Sequence, residues 1–153
     1  MTPNSQLVTL ARNIAIRSGL NDALVCAIVE QESGWNPNAT RYEPAFYQHY
    51  IVPLGLPEEE GKQRATSWGL LQTMLQSVVE IGYKGDGPGL CEPAIGLEWG
   101  CALLLKKFLR ANGDQHMALL YWNGGGNPLY PGQVIDRMPK YLSIEWGGEV
   151  ASD

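Results

Sequence analysis

Histidine, cysteine and positive charge are scarce in this 153-residue chain, and each scarcity removes a class of function. The two histidines, His49 and His116, lie far apart. Neither has a ligand-type neighbour at helical spacing, which argues against a metal hydrolase such as an amidase. The Gly- and Pro-rich segment 82–91 lacks the Lys-Ser/Thr ending of a phosphate cradle, and Asp86 alone does not make a calcium loop. No metal and no cofactor are therefore expected. Three cysteines, Cys26, Cys91 and Cys101, are odd in number, carry no metal spacing and read as reduced structural thiols. Eleven Lys and Arg against sixteen Asp and Glu leave a net charge of −5, which disfavours nucleic acid and anionic membrane surfaces as partners. No apolar run reaches membrane-spanning length, so no membrane insertion is expected. Met1-Thr2-Pro3-Asn4-Ser5 has no basic stretch leading into an apolar one, so the expectation is synthesis in the cytoplasm without a signal peptide.

What the chain does contain is core. Hydrophobic residues make up 44% and charged residues 18%, with no repeat or linker, which predicts one domain over residues 1–153. Its centre is Ala23-Leu24-Val25-Cys26-Ala27-Ile28-Val29, seven apolar residues introduced by the capping pair Asn21-Asp22. A stretch with no polar face predicts a helix buried on all sides. Gly34 ends it in the left-handed cap position and Pro37 forbids its resumption. Glu32 then sits in the last turn, where an apolar setting and the negative end of the helix dipole both disfavour its carboxylate form. A carboxyl held protonated near neutral pH can act as a general acid. Glu30 is two residues away, about 200° around the helix, so only one of the two faces a given cleft. Periodicity leaves the choice open, and solvated acids at a fraying helix end remain the competing reading.

Around that helix the pattern predicts a first helix capped by Ser5 and ending at Ser18-Gly19, then a short one after Pro57. A helical run passes through Val78 and Ile81. The longest helix runs from Pro93 to about Ala111, another is capped by Asp114, and a last one begins near Pro131. The expected fold is mainly α-helical, with a small β-hairpin allowed in residues 38–55.

Three short motifs stand in order, each at a helix boundary: Glu32-Ser33-Gly34-Trp35-Asn36-Pro37, then Gly69-Leu70-Leu71-Gln72, then Tyr121-Trp122-Asn123-Gly124-Gly125. Together they resemble the soluble lytic transglycosylase and goose-type lysozyme family, a lysozyme-like fold that cleaves bacterial peptidoglycan. The resemblance covers roughly residues 5–145. It selects Glu32 over Glu30 as the catalytic residue, since the family's acid precedes the serine, here Ser33. It implies that Glu32 protonates the glycosidic oxygen between N-acetylmuramic acid and N-acetylglucosamine, and that peptidoglycan glycan strands are the partner of a monomeric enzyme. In transglycosylases the C6 hydroxyl of the muramoyl sugar then attacks, giving a 1,6-anhydro product. In the lysozyme branch water attacks, usually positioned by a second carboxylate roughly 6.5–9.5 Å away in an inverting enzyme.

The resemblance also implies substrate contacts. Gln72 would hydrogen-bond a sugar near the scissile bond, Asn123 would stand next to the glutamate in the substrate site, and Gly69 would let backbone approach the substrate. Because Trp122 stands where the family has tyrosine, Tyr121 or Tyr141 would supply a phenol to Glu32. The largest departure is the interval Arg41–Ala65. Its Arg41-Tyr42-Glu43-Pro44-Ala45-Phe46-Tyr47 is similar to a stretch of phage-type muramidases and makes Glu43 a candidate second carboxylate. An ion pair with Arg41 is the competing role for Glu43. A phage endolysin or virion-associated lysin, acting in the periplasm or cell wall after release, is the expected setting. A non-catalytic glycan-binding module on the same fold is the remote alternative.

Overall fold

A computed structural model describes residues 4–142; Met1, Thr2 and Pro3, read above for a signal, lie outside them. Helix α1 (Ser5–Arg17) is capped by the Asn4 side chain, which accepts from the amides of Gln6 and Leu7. The cap is one residue earlier than the sequence pattern suggested. Helix α2 (Asp22–Ser33) starts at Asn21, whose side chain accepts from the Leu24 amide, and stops at Gly34 with φ 58°. Every residue from Ala23 to Val29 is at most 1% exposed, so the apolar run is enclosed on all sides as expected.

The enclosure comes from α1, the helices α6 (Pro93–Arg110) and α8 (Tyr130–Arg137), and a 3-10 turn at Met138–Leu142. Buried Arg12 on α1 donates from Nε to Asp22 at 3.0 Å, tying the first helix to the start of the second. Pro139 allows the last helix to continue only as the tighter 3-10 turn, because it has no amide to donate. Helix α7 (Gln115–Asn123), capped by Asp114, closes the bundle beside α6.

The hairpin allowed in residues 38–55 is not formed there. Strand β1 (Thr40–Tyr42) pairs instead with β2 (Thr66–Trp68), antiparallel, with Arg41 opposite Ser67. Strand β3 (Thr73–Met74) completes the sheet in the order β1-β2-β3. Between β1 and β2 the chain is helical: α3 (Pro44–Phe46) runs into a π-turn at Tyr47–Ile51 and a 3-10 turn at Val52–Leu54, followed by α4 (Glu58–Arg64). Pro44 starts a helix here, so it sets φ for a first turn rather than prolonging a strand. Helix α5 (Leu75–Val79) then carries the sheet to α6.

One close crossing fixes the position of the second motif. The Leu90 carbonyl is wedged between Gly69 and Gly96, where an added Cβ would come within 2.4 Å and 2.3 Å of its oxygen. Gly69, with φ +79°, is thus required by neighbouring protein backbone, and its expected role of admitting substrate is corrected. Gly96→Ala is expected to destabilise the fold by about 1–3 kcal/mol, because the opposing atom is backbone and cannot rotate away. Urea unfolding checks this, and an unchanged midpoint would show that the crossing is loose.

Candidate active site

The end of α2 opens into a cleft of about 510 Å³. Glu32 lies in it with Arg41, Glu43 and Phe46 from β1 and the insert, Gln72 to Met74 from the second motif, and Tyr121 to Gly124 from the end of α7. The three motifs, separated by long intervals of sequence, therefore meet around one space.

Burial pushes the Glu32 carboxyl above the usual carboxylate range. Hydrogen bonds from Tyr130 and Trp122 and the charge of Arg41 pull the other way without cancelling it. The Tyr130 hydroxyl donates to Oε2 at 2.5 Å, and its own pKa is pushed up by burial and by that neighbour. Glu32 is thus hydrogen-bonded but has no cation within ion-pair distance among the described residues. A carboxyl in that state holds its proton to higher pH than a free one and still has donors ready when it gives the proton up.

Glu30 leaves the opposite face of the same helix end and has the opposite fate. Burial would raise its pKa, but donors from Tyr141, Lys140 and Arg137 outweigh this and hold it below the usual carboxylate range. Lys140 Nζ lies 2.9 Å from Oε1, and Arg137 and Tyr141 both donate to the same carboxylate. Arg137 also donates to Gln31, whose amide reaches Gln133 on α8.

Tyr141 is corrected as a substrate or Glu32 partner. Its ring is fully buried, its hydroxyl donates to Glu30, and it accepts from the Trp35 indole at 2.8 Å. Trp35 adopts φ 68°, in the left-handed region that bulky residues avoid, and this contact holds it there. The phenol on Glu32 comes from Tyr130, which the sequence reading missed. Its only signal was its place beside Pro131, at the predicted start of the last helix. Trp122, discounted because it is not a phenol, lines the cleft with Glu32, and its indole favours the charged form of that carboxyl.

The other expected residues divide. Ser33 donates to the Val29 carbonyl within its helix and does not line the cleft. Gln72 lines it, at φ 49°, with Nε2 donating to the carbonyls of Ala39 and Gly69 at 2.8 and 3.0 Å. Its amide nitrogen therefore ties the loop after Glu32 to the second motif. Asn123 is the last residue of α7 and lines the cleft, as does Tyr121, which carries the Arg110 guanidinium 4.0 Å above its ring. Glu43 lines the cleft and pairs with Arg41 at 3.2 Å. The described cysteines are free, and burial pushes Cys26 and Cys101 up to about 12, which keeps both thiols protonated. Among the described residues no group of three His, Cys, Asp or Glu gathers as a metal site.

A half-buried carboxyl of raised pKa, facing an open polar groove on a mainly helical frame, is the arrangement that general-acid chemistry requires. Residues 9–131 match the transglycosylase SLT domain family, and the chain belongs to that family. Its activity in general is that of a lytic transglycosylase on peptidoglycan. No curated protein and no solved structure gives a match.

The two acids make opposite contributions to stability. Glu32 has a folded pKa above its unfolded value, so it favours the folded state at low pH, and that contribution is lost as pH rises through the window above 4.5. Glu30 has a folded pKa below 4.5, so its contribution is present at higher pH and lost as pH falls through that value. Relative to the native chain, Glu32→Gln should gain stability as pH rises from about 4 to about 7. Glu30→Gln should lose stability over the same span, by on the order of 1 kcal/mol, as the unfolded carboxyl of the native chain ionises. Urea midpoints at the two pH values test this; a Glu32→Gln difference that does not change with pH would put that carboxyl in free solvent.

Proposed function

We propose that this protein cleaves the β-1,4 bond between N-acetylmuramic acid and N-acetylglucosamine by intramolecular transglycosylation, with Glu32 as the only acid-base group. The proton on Glu32 passes to the glycosidic oxygen as that bond breaks. Tyr130 and Trp122 stabilise the carboxylate that results. The carboxylate then takes the proton of the C6 hydroxyl as its oxygen closes on the anomeric carbon, which regenerates the acid and leaves a 1,6-anhydro end. Charge and atoms balance with no outside reactant, since the substrate supplies its own nucleophile.

The observation that carries this reading is the contrast between the two carboxyls of the cleft. Glu32 has its carboxyl pKa raised by burial and makes no ion pair among the described residues, whereas Glu43 is engaged by Arg41. An inverting muramidase usually positions its water with a second carboxylate. Release of Glu43 from Arg41 would favour that second route. Gln72, with its amide nitrogen committed to backbone, offers its amide oxygen to a sugar N–H or hydroxyl, and Asn123 offers its side chain beside it. The likeness of the insert to phage-type muramidases supports a lysin acting on the wall of a bacterial host.

Purified protein should release muropeptides from isolated peptidoglycan, and mass spectrometry should find ends one water lighter than hydrolysis products. Glu32→Gln should lower the rate by at least about 10³-fold with an unchanged circular dichroism spectrum. Unaltered turnover in that variant would overturn the assignment of the acid, and products of full hydrolytic mass would overturn the route. Tyr130→Phe removes a donor that favours the charged carboxyl, so the limb of the pH–rate profile set by Glu32 should move to higher pH. A limb that stays in place would show that Tyr130 does not tune the acid.

A further inference from the structure

Helix α8 carries three side chains, Tyr130, Gln133 and Arg137, at the spacing that puts them on one side of a helix. Each meets one of three consecutive residues at the end of α2. Tyr130 donates to Glu32, the Gln133 side-chain oxygen accepts from Gln31 Nε2 at 3.2 Å, and Arg137 donates to Glu30. The outer two contacts end on carboxyls, and the middle one is neutral. The same Gln133 oxygen accepts a second bond, from Asn127 Nδ2 at 3.0 Å. Asn127 lines the catalytic cleft together with Gly124 and Gly126. Gln133 is thus the junction of three parts: the helix of the acid, the last helix, and the wall of the cleft.

Little else holds the crossing from α7 to α8. An added Cβ at Gly124, Gly125 or Gly126 would meet no atom within 4 Å, so packing does not fix that stretch. Of the six residues from Gly124 to Leu129, Asn127 alone is not exposed. Its Oδ1 accepts from the Leu129 amide at 3.0 Å, and its backbone carbonyl accepts from the Tyr130 amide at 3.1 Å, which begins α8. The place of Asn127 therefore decides where Tyr130 enters its helix, and Gln133 decides the place of Asn127. An apolar side chain at 133 could fill the same space but could not accept two donors at once. A charged one would set its field beside the acid.

We propose that Gln133 is a positioning residue for the catalytic acid: by holding Gln31 and Asn127 on one oxygen it sets the Tyr130 hydroxyl on Glu32. This deepens the proposed function and rests on it for the role of Glu32.

The ionisation midpoint of Glu32 reports that contact without requiring turnover. It would be read by NMR on the full chain carrying isotope-labelled glutamate, the Glu32 signal being the one missing from Glu32→Gln. Tyr130→Phe should raise the midpoint, because the phenol favours the charged carboxyl. Gln133→Met keeps the side chain's length and removes the acceptor; it should raise the midpoint by at least about half as much, and lower turnover. Asn127→Ser keeps an oxygen for the Leu129 amide and removes the donor to Gln133, and should act in the same way. In the Tyr130→Phe background neither change should raise the midpoint further. That comparison separates Tyr130 from Trp122 on α7 and Arg41 on β1, which also act on Glu32. A midpoint unmoved by Gln133→Met and Asn127→Ser, whatever happens to urea stability, would show a merely structural role and overturns the inference. A shift just as large in the absence of the phenol overturns it too. Neither result touches the peptidoglycan reading, which fails separately if the native chain releases no muropeptides.

Discussion

The structure depends on one asymmetry at the end of α2: two carboxyls leave the same turn, and only one is given cations. A buried ionised group must be paired or it will neutralise by changing its proton affinity. Glu30 takes the first course, with Lys140, Arg137 and Tyr141 gathered on it. Glu32 takes the second, its pKa raised by burial. Because the two side chains are about 200° apart, the fold can apply both solutions within one turn. The carboxy-terminal segment 137–141 is spent on Glu30, so α8 is clamped to the helix that carries the acid. Tyr130, at the other end of α8, is thereby set against Glu32. The locked carboxylate thus helps to place the reactive one.

The groove follows from how the rest of the chain is held to that helix end. Gly34 and Trp35 both take left-handed backbone, which turns the chain sharply away from the acid. Gln72, also left-handed, reaches back to the Ala39 carbonyl and closes the turn onto the second motif. Non-glycine residues in that region cost of order 1 kcal/mol each and persist where surrounding contacts over-determine them. Here the contacts are identifiable: the Trp35 indole on Tyr141, and the Gln72 amide on two carbonyls. Both strained residues belong to the motifs that line or border the cleft.

Much of this was legible in the sequence because it is local. An all-apolar run between an Asn-Asp cap and a Gly-x-x-Pro stop specifies a buried helix and the turn on which Glu32 sits. What could not be read is what depends on distant partners. Thr40–Tyr42 has its strand partner across the whole insert, at Thr66–Trp68, and nothing in either segment encodes that pairing. Tyr141 and Tyr130 are both tyrosines of the carboxy-terminal helical region, and sequence position gave no means of deciding which carboxyl each would meet. Gly69 was misread for the same reason, since its need for close approach is real but the approaching group is the Leu90 carbonyl. The ion pair of Arg41 with Glu43 was legible, because two residues apart in extended backbone, Arg41 in β1 and Glu43 just past its end, place their side chains on one side.

An acid that must donate a proton and then retrieve one needs a setting that fully favours neither form. Burial alone would keep Glu32 protonated and make it a reluctant donor. A lysine or arginine alongside would keep it ionised and leave nothing to donate. Neutral donors resolve the conflict, because Tyr130 and Trp122 strengthen their hydrogen bonds as negative charge develops on the carboxylate yet bring no charge of their own. Arg41, in ion-pair contact with Glu43, adds only a fraction of its field. The same reasoning explains why no lysine or arginine stands within ion-pair distance of Glu32 among the described residues. A full positive charge in contact with that carboxyl would discharge it before any sugar oxygen arrived.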